Sequence, residues 1–214
     1  MATTKVLRWE RRPDDRYQEL LEAALQVFAQ KGYRNTRLDE VAESAGVTKG
    51  TIYHYFDTKE ELLLSVIKHY QTLAFGRVED VLRDDRLPAS TRIRLLVRKM
   101  FVGGNKRGRH FLALLLRDVA HEVPHVHDNW LHDGPVRLWT LIGQLVDEGK
   151  ERGEFRPDAD GDVGARVLVS GLMLQLMWQQ HADAVPAMAV DEDRLIDSTV
   201  ELFLAGLRPP SLAR

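Results

Sequence analysis

A chain of 214 residues, 44% apolar and 29% charged, is long enough for one large domain or a small module joined to a larger one, and it can bury a core. A formal charge of −2 gives no bulk attraction toward a polyanion, so any nucleic-acid case has to rest on local placement. Cysteine is absent, which removes disulfides, thiolate nucleophiles and Cys-based zinc sites and fits a reducing compartment, with a cytoplasmic location the simplest expectation.

Residues 1–13 carry Lys5, Arg8, Arg11 and Arg12 with no apolar stretch behind them, so they read as a flexible basic arm rather than a secretory leader. Beyond them, apolar residues recur at helical spacing and no alternating strand pattern stands out, which predicts an all-α chain. The first helix opens after Pro13, with Asp14 and Asp15 at the positive end of its dipole and an apolar stripe of Tyr17, Leu21, Ala24, Leu25 and Phe28. Gly32 is expected to stop it in a left-handed conformation. Thr36 followed by Asp39 resembles a capping box, which predicts a short helix from near Arg37 to Gly46. Thr48 caps the next short helix, with Ile52 and Phe56 facing inward and Asp57 at its exit. Thr58 with Glu61 repeats the capping pattern and starts a long helix to about Leu82. Further helices are expected near 90–102, 107–122, 126–152, 161–182 and 191–207, with Pro135 kinking or splitting the third of these. The most apolar run, 167–178, is broken by Ser170, Gly171 and Gln175 and falls short of the ~20 residues a bilayer span needs, so no membrane segment is expected.

Residues 36–56 have the anatomy of a helix-turn-helix: two short helices around the turn AGVTKG. Ala42 and Ala45 are small enough for close helix approach, Val47, Ile52 and Phe56 supply a shared core, and Gly46 takes the positive φ of the turn. The outward positions Thr48, Lys49, Gly50, Thr51, Tyr53 and His54 offer hydroxyls, an amine, an imidazole and bare backbone on one surface. That chemistry suits a phosphate-lined groove, where a helix N-terminus attracts phosphate and Gly50 lets backbone come near DNA. Lys59 is placed to meet the same strand. Taken singly, each has a plainer reading: Tyr53 as a core aromatic, Lys59 as a solvated charge, Gly50 as a weak helix position. Residues 1–60 hold ten Lys or Arg and ten Asp or Glu, so placement rather than charge excess has to do the binding. The basic arm either reaches a backbone or narrow minor groove, or only solubilises.

The segment TRLDEVAESAGVTKGTIYHYFDTKEELL resembles the DNA-binding region of the TetR family of bacterial repressors, and the resemblance extends from residue 16 to about 66. One departure is Tyr55, where the family usually shows His. The resemblance implies that Thr36, Tyr53, His54 and Lys59 contact phosphates, that Thr48, Lys49, Gly50 and Thr51 lie closest to base edges, and that Arg37 belongs to the same DNA-binding surface. It implies a three-helix DNA-binding domain at 14–60, a larger helical ligand-binding and dimerisation domain at 61–207 and a tail at 208–214, acting as a homodimer on palindromic double-stranded operator DNA.

A single short recognition helix reads few bases, so such modules generally work as dimers. The candidate dimer surface is the last two helices, one with Val163, Val167, Leu168, Leu172, Leu174, Met177 and Trp178, the other with Leu195, Ile196, Thr199, Val200, Leu202, Phe203 and Leu204. The first is apolar almost all round and so is buried on two sides, either by a second copy or entirely within the chain. Phe75, Phe101, Phe111, Leu115, Trp130, Trp139, Met173, Met177 and Trp178 either line a site for a small apolar or aromatic effector or form plain core. The stretch from His121 to Asp133, with His125, His127 and His132, has imidazole and carboxylate suited to a metal, but the spacing gives no clean i, i+4 pair with a third ligand. It reads as a solvated helix junction, with a metal-responsive regulator as the alternative. No cofactor is called for. No phosphate loop, nucleophile elbow or HExxH appears, so an enzyme is not expected, and a ligand-independent DNA-binding protein is the remaining rival.

Overall fold

The structure, a computed structural model, describes residues 13–101, 111 and 114–209. The basic residues of the arm, the Gly103–Gly104 break, the first part of the expected 107–122 helix and the end of the tail lie outside the described residues. The fold is all-α, and the chain divides into two compact units, Met1–Val66 and Ile67–Arg214.

In the first unit, α1 (Pro13–Asn35) buries Leu21, Ala24, Leu25 and Phe28 of the predicted stripe together with Leu20, whereas Tyr17 is half-buried. Gly32 interrupts the helix as expected, with a positive φ (φ 78°, ψ 160°) in a region open essentially to glycine alone, and one further short turn follows to Asn35. The Lys59 ammonium donates to the Tyr33 and Arg34 carbonyls at 2.7 and 3.0 Å, so the exposed acceptors at the negative end of α1 are met by a cation.

Helix α2 (Leu38–Ser44) begins one residue later than the Thr36–Asp39 pattern predicts. Its N-cap is Arg37, whose backbone N–H donates to the Glu40 carboxylate at 3.0 Å. The later start lets Leu38, Val41 and Ala42 face the core together. Gly46 then turns the chain at φ 66°, and α3 (Lys49–Tyr55) follows with Thr48 as its N-cap, accepting the Thr51 N–H at 3.2 Å. Helix α4 (Lys59–Gly76) starts as expected, with the Thr58 hydroxyl accepting the Glu61 N–H at 3.1 Å, and passes from the first unit into the second. It ends at Gly76 rather than near Leu82. A separate helix, α5 (Glu79–Arg83), carries the chain on. Phe75, Val78 and Val81, three residues apart on either side of the break, are all buried.

The second unit continues with α6 (Ala89–Phe101), a π turn (Leu115–Val119) leading into α7 (Ala120–Glu122), and α8 (Pro124–Leu131). A second π turn (His132–Val136) joins α8 to α9 (Arg137–Glu151), and α10 (Gly161–Trp178) and α11 (Glu192–Leu207) complete it. Pro135 splits the expected 126–152 helix as predicted: the α-helix gives way at His132–Val136 to a π turn, which carries the chain past the missing N–H. The α-helical part of α10 closes at Trp178, and a 3₁₀ turn (Gln179–His181) takes the last residues of the predicted 161–182 helix.

The core of this unit is shared by Ile93, Leu96 and Val97 of α6, Ile142, Leu145 and Val146 of α9, Leu168, Val169 and Leu172 of α10, and Ile196, Val200 and Leu204 of α11. Helices α10 and α11 approach so closely at Gly164 that an added Cβ would lie 2.8 Å from the Phe203 ring. Polar ties at helix ends reinforce this packing. The Glu154 carboxylate accepts the Ala89 and Ser90 N–H groups at 2.7 and 2.9 Å, and the buried Arg92 guanidinium pairs with Glu148 and donates to the Leu82 carbonyl at 2.5 Å. No helix among the described residues is long and apolar enough to cross a membrane.

Candidate nucleic-acid interface

The helix-turn-helix is held from within by Val41, Ala42, Ile52 and Phe56, all buried. Tyr55, which departs from the usual pattern, joins an aromatic group, its ring 6.0 Å from Tyr17 and 6.3 Å from Phe56. With Ile52 and Phe56 turned inward, α3 presents Thr48, Lys49, Gly50, Tyr53 and His54 outward, and Tyr53 is 50% exposed. Thr51 is half-buried, its hydroxyl 2.9 Å from that of Thr48. Arg37 is exposed at the start of α2.

Gly50 is the most informative of these residues. It has no positive φ, and a Cβ added there would meet nothing closer than the Thr48 hydroxyl at 3.8 Å, an ordinary contact. The fold itself has room for alanine, which favours a helix over glycine by ~1 kcal/mol. Neither backbone conformation nor packing within the chain requires glycine at this position.

Two expected phosphate contacts are placed differently. Thr36 is 2% exposed and its hydroxyl donates to the Gly32 carbonyl at 2.8 Å, so this side chain braces the α1–α2 junction and does not face a ligand. The Lys59 ammonium is half-buried, bound to two α1 carbonyls and 4.4 Å from the Tyr33 ring centre. It fixes the end of α1 first. A feature missed in the sequence is the ion pair of Lys49 with Asp39, 2.5 Å across the turn, which raises the Lys49 pKa above its ordinary value. The second Asp39 carboxylate oxygen is buried without a hydrogen-bond partner among the described residues. Opposite charges ten residues apart gave the only signal, and the tight turn between α2 and α3 makes it meaningful.

The nine residues proposed to line an effector site do not share one interior. Phe75 lies in the main core of the second unit, with Phe101, Trp139 and Met173 packed against that core. Trp139 is covered by the Arg166 guanidinium at 4.6 Å, Met177 is half-buried and Trp178 is 38% exposed. Leu115 and Trp130 are buried outside that core, and Phe111 stacks on Tyr70 at 5.1 Å. Of the histidine-rich stretch, His132 pairs with Asp133 at 3.0 Å and the His127 ring lies 5.5 Å from Trp130. No three candidate ligands gather to hold a metal among the described residues.

Helix α10 has two apolar faces. Ala165, Leu168, Val169, Leu172 and Leu176 are buried, whereas Val163, Val167, Leu174 and Trp178, spaced at 4, 7 and 4 residues, are exposed along the other side. Leu202 of α11 is 76% exposed. Among the described residues, nothing covers this second apolar face of α10.

Residues 20–66 match the family described as bacterial regulatory proteins of the tetR family. Over that segment the chain is of the TetR type. The match covers the described helix-turn-helix, and similarity to relatives runs much further. The chain is 24% identical over 192 residues to the HTH-type transcriptional repressor KstR2 of Rhodococcus jostii, covering 90% of this chain and 91% of that one. It is likewise 24% identical over 208 residues to the fatty acid metabolism regulator protein of Bacillus subtilis, covering 92% and 97%. The crystal structure of the transcriptional regulator FadR from Bacillus subtilis in complex with stearoyl-CoA superposes with a TM-score of 0.72 at 25% identity, over 90% of this chain and all of that one. The matched family and both of these relatives are regulators of transcription.

Proposed function

We propose that this TetR-type chain represses transcription as a homodimer on a palindromic operator and is released by a small, largely apolar effector. The observation that carries the DNA half is Gly50, an exposed helix glycine that the fold does not need. In this reading Thr48, Lys49, Gly50 and Thr51 approach base edges, and Arg37, Tyr53, His54 and Lys59 meet phosphates. Thr36 acts only as a brace. The exposed faces of α10 and α11 supply the dimer contact, since Val163, Val167, Leu174 and Leu202 gain from leaving water only against another apolar surface.

The effector half is supported by the likeness to FadR, whose structure holds stearoyl-CoA. An effector that binds one state of the dimer better than the other shifts the population toward it, and release follows if that state fits DNA less well.

The test is operator selection with the full chain, followed by Gly50→Ala. A palindromic site is expected. The alanine variant should bind it at least roughly tenfold more weakly, because one methyl at the closest approach displaces several contacts, while the folded state gains up to about 1 kcal/mol. Unchanged operator affinity in Gly50→Ala, or selection of sequence-indifferent DNA, would overturn the reading.

A further inference from the structure

Lys49 opens α3, and the tight turn at Gly46 brings its side chain back to the first turn of α2, where the ammonium meets Asp39 Oδ2 at 2.5 Å. The lysine side chain stays 72% exposed in this pose, so the pair sits at the surface. The other carboxylate oxygen, Asp39 Oδ1, is buried with no hydrogen-bond partner among the described residues. A surface ion pair adds little to stability, and a buried oxygen without a partner subtracts from it. The dipole of α2 does not require the contact either, because Glu40 already places an acid in the same first turn, paired with Lys31 at 2.7 Å. What the pair does change is the reach of Lys49. Of its three N–H donors one is spent on Asp39 and two remain, and the flexible stem is tied down beside the bare backbone of Gly50.

A free ammonium next to DNA gains most from phosphate, which carries no sequence information. Closed on Asp39 it behaves differently, because the carboxylate cancels its charge and is itself repelled by phosphate. The uncharged edges of the bases carry no such penalty. In the major groove only guanine presents two acceptors, N7 and O6, side by side; adenine sets a donor beside its N7, thymine offers a single O4 and cytosine a donor. Two spare N–H groups on one nitrogen match guanine. We infer that the Asp39–Lys49 pair stays closed on the operator and that Lys49, held by Asp39, reads a guanine in each half-site. Asp39 is a positioning residue for base preference. The inference rests on the placing of α3 at base edges in the proposed function, and it adds the base that is read and the residue that sets the choice.

The test uses the full-length protein and the palindromic site it selects, with each G·C pair of the half-site replaced in turn, symmetrically, by A·T. One guanine position is expected at which replacement weakens wild-type binding roughly tenfold or more, the discrimination that a well-matched contact to a base edge supplies. In Lys49→Met the same replacement should cost less than about twofold, while the other positions keep their penalties. Asp39→Asn keeps the shape of the side chain and removes its charge. There the guanine preference should likewise fall to about twofold or less, and affinity for random DNA should rise with a steeper dependence on salt. An Asp39 that only braces the α2–α3 turn would shift affinity for every sequence alike and leave the preference intact in the asparagine variant, and that result overturns the inference. So does a Lys49→Met variant that weakens all sequences uniformly, which makes Lys49 a phosphate contact, or one that leaves every base preference as it was. Because Lys49 is exposed, Lys49→Met keeps the inference testable should Asp39→Asn fail to fold. Selection of sequence-indifferent DNA by the wild type removes the proposed function and the inference with it, whereas a palindrome with no guanine that depends on Lys49 removes only the inference.

Discussion

Helices α3 and α10 both leave a whole face uncovered, and the contents of the two faces are opposite. The outer side of α3 carries hydroxyls, an amine, an imidazole and the bare backbone of Gly50, whereas that of α10 carries Val163, Val167, Leu174 and Trp178. A polar face with a helix N-terminus is at ease in water and gains from a hydrated anionic partner. An apolar face of that length is not at ease in water, and it gains from a partner as apolar as itself, most simply the same face of a second copy. Exposure alone therefore says only that something binds. The chemistry of the exposed atoms says what.

The sharpest way to break this contrast is to make the two faces alike. Val167→Glu combined with Leu202→Glu places four charges in a symmetric contact, and each lost apolar burial weakens it by ~1.5–3 kcal/mol. The dimer dissociation constant should rise roughly a hundredfold or more in sedimentation experiments, with operator affinity falling alongside. A dimer that survives the pair of changes would remove the α10 face from the interface.

Gly164→Leu tests the inner side of the same helix. The new Cβ would lie 2.8 Å from the Phe203 ring, so the ring or the two helices must shift, and urea denaturation should show a loss of about 1–3 kcal/mol. On the α3 side, Asp39→Asn releases Lys49 from its internal partner. The freed ammonium then neutralises a phosphate, so the slope of log affinity against log salt should steepen by about 1 and discrimination between operator and random DNA should narrow. An unchanged slope would mean that the Asp39–Lys49 pair already opens on binding DNA.

The smallest effect concerns Glu40. Its pKa is held below the ordinary carboxylate value, first by the hydrogen bond from the Lys31 ammonium and then by that from the Arg37 backbone N–H. A carboxyl whose folded pKa is depressed contributes stability that is complete above its unfolded value and is lost as pH falls through the folded one. An NMR titration should place its midpoint below that of an exposed glutamate, and Lys31→Ala should move it back up.

The existence and type of the elements around the helix-turn-helix were readable because each leaves a local mark: Thr48 and Thr58 as caps, Gly46 at positive φ, and the Ile52 and Phe56 pair one turn apart. Their chemistry acts within four residues, so spacing alone exposes it. Thr36 and Lys59 show the limit of that approach. Both stand where the pattern puts phosphate contacts, yet the Thr36 hydroxyl is taken by Gly32 and the Lys59 ammonium by Tyr33 and Arg34, partners that only the packing of α1 brings near. The aromatic residues of the second unit were harder still, since core and binding site draw on the same side chains and periodicity does not tell them apart.

By itself the sequence determined an all-α chain, the helix-turn-helix at its start and two apolar helices at its end, because amphipathic period, caps and glycine stops are properties of neighbouring residues. Tertiary structure alone decided which of those residues remain available. It committed Thr36 to a backbone carbonyl, joined Lys49 to Asp39, and divided α10 into a covered and an uncovered face. Each of these outcomes depends on side chains brought together by long-range packing, and no local pattern records such meetings.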